Sequence, residues 1–140
     1  MNKILLIEDN VDDIEFYSNL LSQDNSPYEV FVADRKEKVL NMFQSHSFHC
    51  ILVDFNLPGW DGLKVIDTLN EASGMECLPI VILTGEHSRK NQAEAARRGA
   101  LNYVIKDTLV TYEQIHSVIE STVRWSAELK RQNNYTKSPK

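Results

Sequence analysis

Five short apolar runs, each rich in β-branched residues, recur along the chain: Lys3 to Ile7, Glu29 to Ala33, His49 to Val53, Pro79 to Leu83 and Leu101 to Ile105. Each has the length and composition of a strand. Their cores (ILLI, ILV, IVIL) are apolar almost without interruption, so both faces of the strands need cover. Segments of helical period lie between them; in the first, Ile14, Tyr17, Leu20 and Leu21 fall at i, i+3, i+6 and i+7. Strand and helix alternating in this way predict an α/β fold with a doubly wound parallel sheet of five βα units. Right-handed crossovers place helices on both sides, and the ligand crevice of such a sheet lies beyond the carboxyl ends of its strands.

The residues at those carboxyl ends are chemically uneven. Glu8 and Asp9 follow the first strand, Asp34 the second, Asp54 the third, Thr84 the fourth and Lys106 the fifth. Asp34 belongs to a peripheral strand and reads as a helix N-cap, which leaves three carboxylates, a hydroxyl and an amine on one edge. Crowding Glu8, Asp9 and Asp54 there is costly and raises at least one pKa unless a cation neutralises them. Hard oxygen ligands with room for water suit Mg²⁺, with carboxylates from Asp9 and Asp54, Glu8 through water, and a loop carbonyl near Asn56. A carboxylate beside such an ion can attack a phosphoryl group in line and form an acyl phosphate. Lys106, Thr84 and the metal then have one phosphoryl oxygen each to hold, the division of labour that phosphoryl transfer requires.

The surrounding residues carry a family pattern: Glu8-Asp9 after the first strand, the stretch Val53-Asp54-Phe55-Asn56-Leu57-Pro58-Gly59-Trp60-Asp61-Gly62, then Thr84-Gly85, Gly99-Ala100 and Tyr103-Val104-Ile105-Lys106. Across residues 1–125 the chain resembles the response-regulator receivers of bacterial two-component systems. The resemblance implies a flavodoxin-like (βα)5 sheet in the strand order 2-1-3-4-5. It also implies transfer of phosphate to Asp54 from a histidine kinase or a histidine phosphotransfer protein. Glu8 and Asp9 would hold Mg²⁺, Thr84 and Lys106 would read the phosphate, and Tyr103 would be the switch aromatic that turns inward when the threonine moves. The implied role is a signalling domain rather than an enzyme, one that catalyses its own phosphotransfer and autodephosphorylation. Resemblance to receivers with polar residues at the positions of Asn56 and Glu86, two after Asp54 and Thr84, implies a short-lived phosphoryl state, because water is admitted rather than excluded. Pro58 and Gly62 read more simply as turn residues. One departure stands out: Asp107 follows Lys106 where most receivers have a proline after a cis peptide. A cis bond before a non-proline residue costs about 2.5 to 4 kcal/mol, so a trans Lys106-Asp107 peptide is expected.

From Tyr112 the last helical segment puts Ile115, Val118, Ile119 and Thr122 on one face and continues the stripe through Ser126 to Leu129. The expected organisation is a receiver over residues 1–125, then a helix extension and polar tail over 126–140. Ile119 to Arg131 resembles the linker helix that leads into a fused output module. A frayed helix end before a disordered tail from Gln132 to Lys140 fits the same residues, and both readings stay open. No DNA-binding, cyclase or kinase motif fits in that tail, which leaves either a stand-alone receiver or the front of a longer protein.

A net charge of −5 offers no basic field for a nucleic-acid backbone. The opening MNKILLIEDN is too short in apolar residues for a signal sequence or a membrane span. The expected setting is the cytoplasm, with no membrane and no direct nucleic-acid contact. Cys50 and Cys77 form no C-x-x-C and read as buried thiols, and His46, His49, His87 and His116 show no metal spacing. Trp60, on an expected exposed edge, either meets a kinase or packs the loop. A phosphatase of the haloacid dehalogenase class would need a second acid where Asn56 stands, and a flavin-binding module would need a hydroxyl- or glycine-rich loop where Glu8 and Asp9 stand. The alternative within the family is a degenerate receiver acting as a phosphorylation-independent interaction module; retention of Glu8, Asp9, Asp54, Thr84 and Lys106 together argues against it.

Overall fold

A computed structural model describes residues 1–75 and 77–136. Strand β1 (Asn2–Ile7) leads to helix α1 (Val11–Leu21), β2 (Tyr28–Ala33), α2 (Lys36–Ser45) and β3 (Cys50–Asp54). Two very short strands, β4 (Asn56–Leu57) and β5 (Trp60–Asp61), pair as an antiparallel ribbon before α3 (Gly62–Ser73). The chain continues through β6 (Ile80–Thr84), α4 (Arg89–Arg97), β7 (Asn102–Ile105), a 3₁₀ turn at Lys106–Thr108 and α5 (Tyr112–Thr136). The five longer strands form one parallel sheet in the order β2-β1-β3-β6-β7. With the ribbon left out of the count this is 2-1-3-4-5, the doubly wound order expected. β3 and β6 end on Asp54 and Thr84 themselves, so these two side chains sit on sheet backbone rather than in the loops that follow.

Alternate residues of the strands enter opposite layers, as the pleat requires. Leu5 and Ile7 join Ile51, Val53, Ile80 and Ile82 under Val39 of α2, Val65 and Ile66 of α3 and Ala95 of α4. Ile4 and Leu6 join Leu52, Val81 and Leu83 under Tyr17 and Leu20 of α1 and Ile115 and Ile119 of α5. This two-sided cover explains why β3 and β6 are buried along their whole length. Cys50 and Cys77 are both buried free thiols.

The helix starts follow local polar chemistry. The Asn10 side chain caps α1 by accepting from the Asp13 amide at 2.9 Å, and Asp61 caps α3 by accepting from Leu63 and Lys64. Asp34 does not cap α2. The boundary residue is Arg35, in an extended conformation and with no capping side-chain bond, so the helix begins one residue too late for Asp34 to reach its free amides. Asp34 instead pairs with Lys38 at 3.1 Å.

Helix α5 is tied to the sheet by polar bonds as well as by Ile115 and Ile119. The Tyr28 hydroxyl donates to Glu120 at 2.6 Å and lies 2.7 Å from Nδ1 of His116, while Nε2 of His49 meets the same Glu120 carboxylate at 2.8 Å. Further along, Ser126 donates to the Cys77 carbonyl at 2.5 Å. The helix runs on unbroken to Thr136, so the segment read as a polar tail from Gln132 is helical over its described part; residues 137–140 lie outside the described residues. Among the described residues no peptide bond is cis, and the Lys106-Asp107 bond is trans as expected.

Gly62 opens α3 directly against the end of β3. A Cβ there would stand 3.0 Å from the Asp54 carbonyl oxygen and 3.0 Å from the Phe55 Cα, both backbone atoms that cannot rotate away. Gly62→Ala is therefore expected to lower the unfolding free energy by about 1–3 kcal/mol in urea titrations. Gly85→Ala, where a Cβ meets nothing within 4 Å, is the control without a clash, and equal losses in the two variants would disprove the steric account.

Candidate functional site

The sheet order brings residues from four strand ends to one place. β1 and β3 are neighbours, and Glu8 and Asp9 follow the first while Asp54 ends the second. One carboxylate oxygen from each of Glu8, Asp9 and Asp54 lies within 4.8 Å of the others. Thr84 ends β6, the next strand, and Lys106 follows β7. Glu8, Asp54 and Thr84 are all buried. The Lys106 ammonium reaches across this edge to Glu8 at 3.0 Å, Asp13 at 2.7 Å and Asp54 at 3.4 Å.

Electrostatics follow from that crowding. Burial, reinforced by the nearby Asp54 carboxylate, pushes the Glu8 carboxyl up from 4.5 to about 7 despite the opposing pull of Lys106. For Lys106 burial works against the charged form, but hydrogen bonds and charge from Asp13 and Glu8, with Asp54 adding to them, outweigh it and raise the pKa. The cluster thus holds more carboxylate than one ammonium can balance. An all-oxygen donor set of three carboxylates, with Asp9 only half-buried and so open to water, fits a hard divalent cation.

The remaining expected residues fall around this centre. The Thr84 hydroxyl donates to the Glu86 carbonyl at 3.0 Å and accepts from the Glu86 amide, so its proton is engaged locally rather than aimed at Asp54. The Asn56 amide donates to Asp54 at 3.3 Å, and the side chains of Asn56 and Glu86 are exposed. Tyr103 is half-buried with its ring 6.4 Å from that of Phe55, and its hydroxyl is buried with no hydrogen-bond partner among the described residues. Trp60 packs against the core layer beneath α2 and α3. Sequence reasoning missed Asp13, which makes the shortest contact to Lys106. Its only signal was its place as the third helical residue after the Asn10 cap; nothing local connects it to a lysine 93 residues away.

Comparison with known proteins agrees with this geometry. The family model of the response regulator receiver domain matches residues 4–120, and the chain belongs to that family. It is 29% identical over 120 residues to the chemotaxis protein CheY of Pseudomonas aeruginosa, covering 84% of this chain and 96% of that one. It is 25% identical over 134 residues to a probable cyclic di-GMP phosphodiesterase of Vibrio cholerae, covering 94% of this chain but 30% of that protein. The crystal structure of NtrX from Brucella abortus superposes with a TM-score of 0.80 at 25% identity, over 100% of this chain and 31% of that one. The chain is thus a receiver domain of the phosphoacceptor signalling class, and an interaction module freed from phosphate chemistry is not favoured. Among the described residues no helix is long and apolar enough to cross a membrane.

The raised Glu8 pKa has a signed consequence for stability. Between 4.5, its ordinary value, and about 7 in the folded protein, the native state binds more protons than the unfolded chain. The stabilisation is therefore fully present below that window and is lost as pH rises through about 7. With divalent cations chelated, the thermal midpoint is expected to fall between about pH 5 and about pH 7.5. Added Mg²⁺, which competes with the Glu8 proton, is expected to raise the midpoint more at the upper pH. Calorimetric scans showing the same Mg²⁺ effect at both pH values would sink this reading.

Proposed function

We propose that Asp54 is the phosphoryl acceptor of a two-component phosphorelay. The observation that supports this most strongly is the convergence of Glu8, Asp9 and Asp54 with Lys106 at the carboxyl ends of β1, β3 and β7. An Asp54 carboxylate oxygen attacks phosphorus in a phosphohistidine of a histidine kinase or histidine phosphotransfer protein. The new bond is O–P and the broken bond is P–N; its electron pair stays on the imidazole nitrogen, which then takes a proton from water. Lys106 donates to one phosphoryl oxygen, giving up one of its carboxylate partners. Thr84 donates to another, which requires its hydroxyl to turn away from Glu86.

Glu8, Asp9 and Asp54, with the Asn56 carbonyl beside them, would hold Mg²⁺, which when bound supplies positive charge to the acceptor carboxylate and the phosphoryl oxygens. In the hydrolysis that follows, water admitted past the exposed Asn56 and Glu86 attacks phosphorus; the new P–O bond forms as the bond to the Asp54 oxygen breaks, which releases inorganic phosphate and restores the carboxylate. Tyr103, beside Phe55 and with a buried hydroxyl that finds no partner among the described residues, serves as the switch that senses the departure of Thr84 from its local bonds. Residues 1–125 make up the receiver. The helix extension over residues 126–136 leads toward a fused or separate output protein, a reading supported by the match of the whole chain to part of NtrX. The acidic net charge, which offers no basic field to a phosphate backbone, supports a receiver without direct nucleic-acid contact.

Incubation with Mg²⁺ and a small phosphodonor, followed by intact mass spectrometry, is expected to show a gain of one phosphate that Asp54→Ala abolishes. No gain on the native chain would refute the acceptor role. Replacing Asn56 and Glu86 together by bulky apolar residues is expected to slow loss of the phosphate about ten-fold by excluding water. An unchanged lifetime in a time course of the same mass shift would remove these residues from the hydrolytic step.

A further inference from the structure

The Lys106 ammonium has three protons to donate and no acceptor capacity, and three carboxylates surround it. Two of them, Glu8 and Asp54, belong to the buried cluster. The third, Asp13, comes from the first turn of α1, is 38% exposed and makes the shortest contact, 2.7 Å against 3.0 Å for Glu8 and 3.4 Å for Asp54. The position of Asp13 is not left to chance. The Asn10 side chain accepts from its backbone amide at 2.9 Å, and the Asn10 amide in turn donates to the second oxygen of Glu8 at 3.3 Å. The cap of α1 and the acidic cluster thus form one hydrogen-bonded unit that carries Asp13 over the lysine.

We propose that Asp13 is a positioning residue for the reaction assigned above: it draws the Lys106 ammonium toward α1 and holds it off Asp54. The inference rests on the acceptor reading of Asp54. A charge-assisted N–H···O⁻ bond settles at about 2.7–2.9 Å when nothing restrains it, and the 3.4 Å separation from Asp54 exceeds that. Without Asp13, the ammonium closes on the acceptor and competes with a cation for its carboxylate. With Asp13 present, the oxygen of Asp54 stays open to metal and phosphodonor. Lys106 keeps an exposed partner that it can exchange for a phosphoryl oxygen at little desolvation cost, because the released Asp13 carboxylate returns to water.

A double-mutant cycle on the full chain separates this from a plain loss of negative charge. Mg²⁺ alone is titrated by calorimetry into the native protein, Asp13→Ala, Lys106→Met and the double variant. Asp13→Ala is expected to weaken Mg²⁺ binding, and that weakening is expected to shrink about three-fold or more in the Lys106→Met background. An equal weakening in both backgrounds means that Asp13 acts only as a through-space charge and overturns the proposal. A crystal structure of cation-free Asp13→Ala gives a readout independent of the metal. Lys106 Nζ is expected to close on Asp54 to about 2.8 Å, and a separation unchanged from 3.4 Å overturns the proposal as well. A native chain that takes up no Mg²⁺ refutes the cation reading of the site, and in that case the position of Lys106 in the crystal still decides the role of Asp13.

Discussion

Lys106 among its carboxylates is the contact around which the functional edge of this sheet is arranged. Glu8 is wholly buried and Asp54 nearly so, and two buried acids at neighbouring strand ends repel each other in a medium that screens little. The lysine relieves part of that repulsion by extending its stem from beyond the edge strand β7, past β6, to reach β1 and β3. It does not offset the whole effect of burial, which together with the nearby Asp54 keeps the Glu8 carboxyl near 7. A site left short of positive charge in this way has a standing affinity for a cation, and the all-oxygen donor set selects a hard one.

Such a cluster can be held only by a rigid frame, and the two apolar layers provide it. Each inner strand is covered on both faces, by α2, α3 and α4 on one side and α1 and α5 on the other. The backbone around Asp54 is held further by the Phe55 amide bonding the Leu83 carbonyl at 2.8 Å and by the Gly62 amide bonding the Phe55 carbonyl. Gly62 serves here by having no side chain, because the start of α3 passes too close to β3 for a Cβ. Thr84, buried at the end of β6, is satisfied by the loop that follows it rather than by the cluster.

Helix α5 follows the 3₁₀ turn that carries Lys106 at that edge. Its first half is fixed to the sheet through Ile115, Ile119 and the Tyr28–Glu120–His49 bonds, and Ser126 extends the attachment to the segment before β6. Just before Ser126, Trp125 is exposed, and the helix continues to Thr136.

The fold was legible in the sequence because its signals are local. Uninterrupted β-branched runs such as ILLI and IVIL announce strands covered on both faces, and the residue after each run is a matter of counting. Glu8, Asp9, Asp54, Thr84 and Lys106 were read from that register alone, and the sheet does gather them. Asp34 shows the limit of the same reasoning, because a helix start displaced by one residue turned an expected cap into an ion pair with Lys38. Asp13 and the Tyr28–Glu120–His49 bonds were not legible, since their partners lie tens of residues apart and share no sequence spacing. Side-chain chemistry and periodicity are properties of neighbours along the chain, so the sequence by itself determined the element types and the donor set. Which carboxylates share one ammonium is a property of strand order and helix packing, and only the tertiary structure decided that.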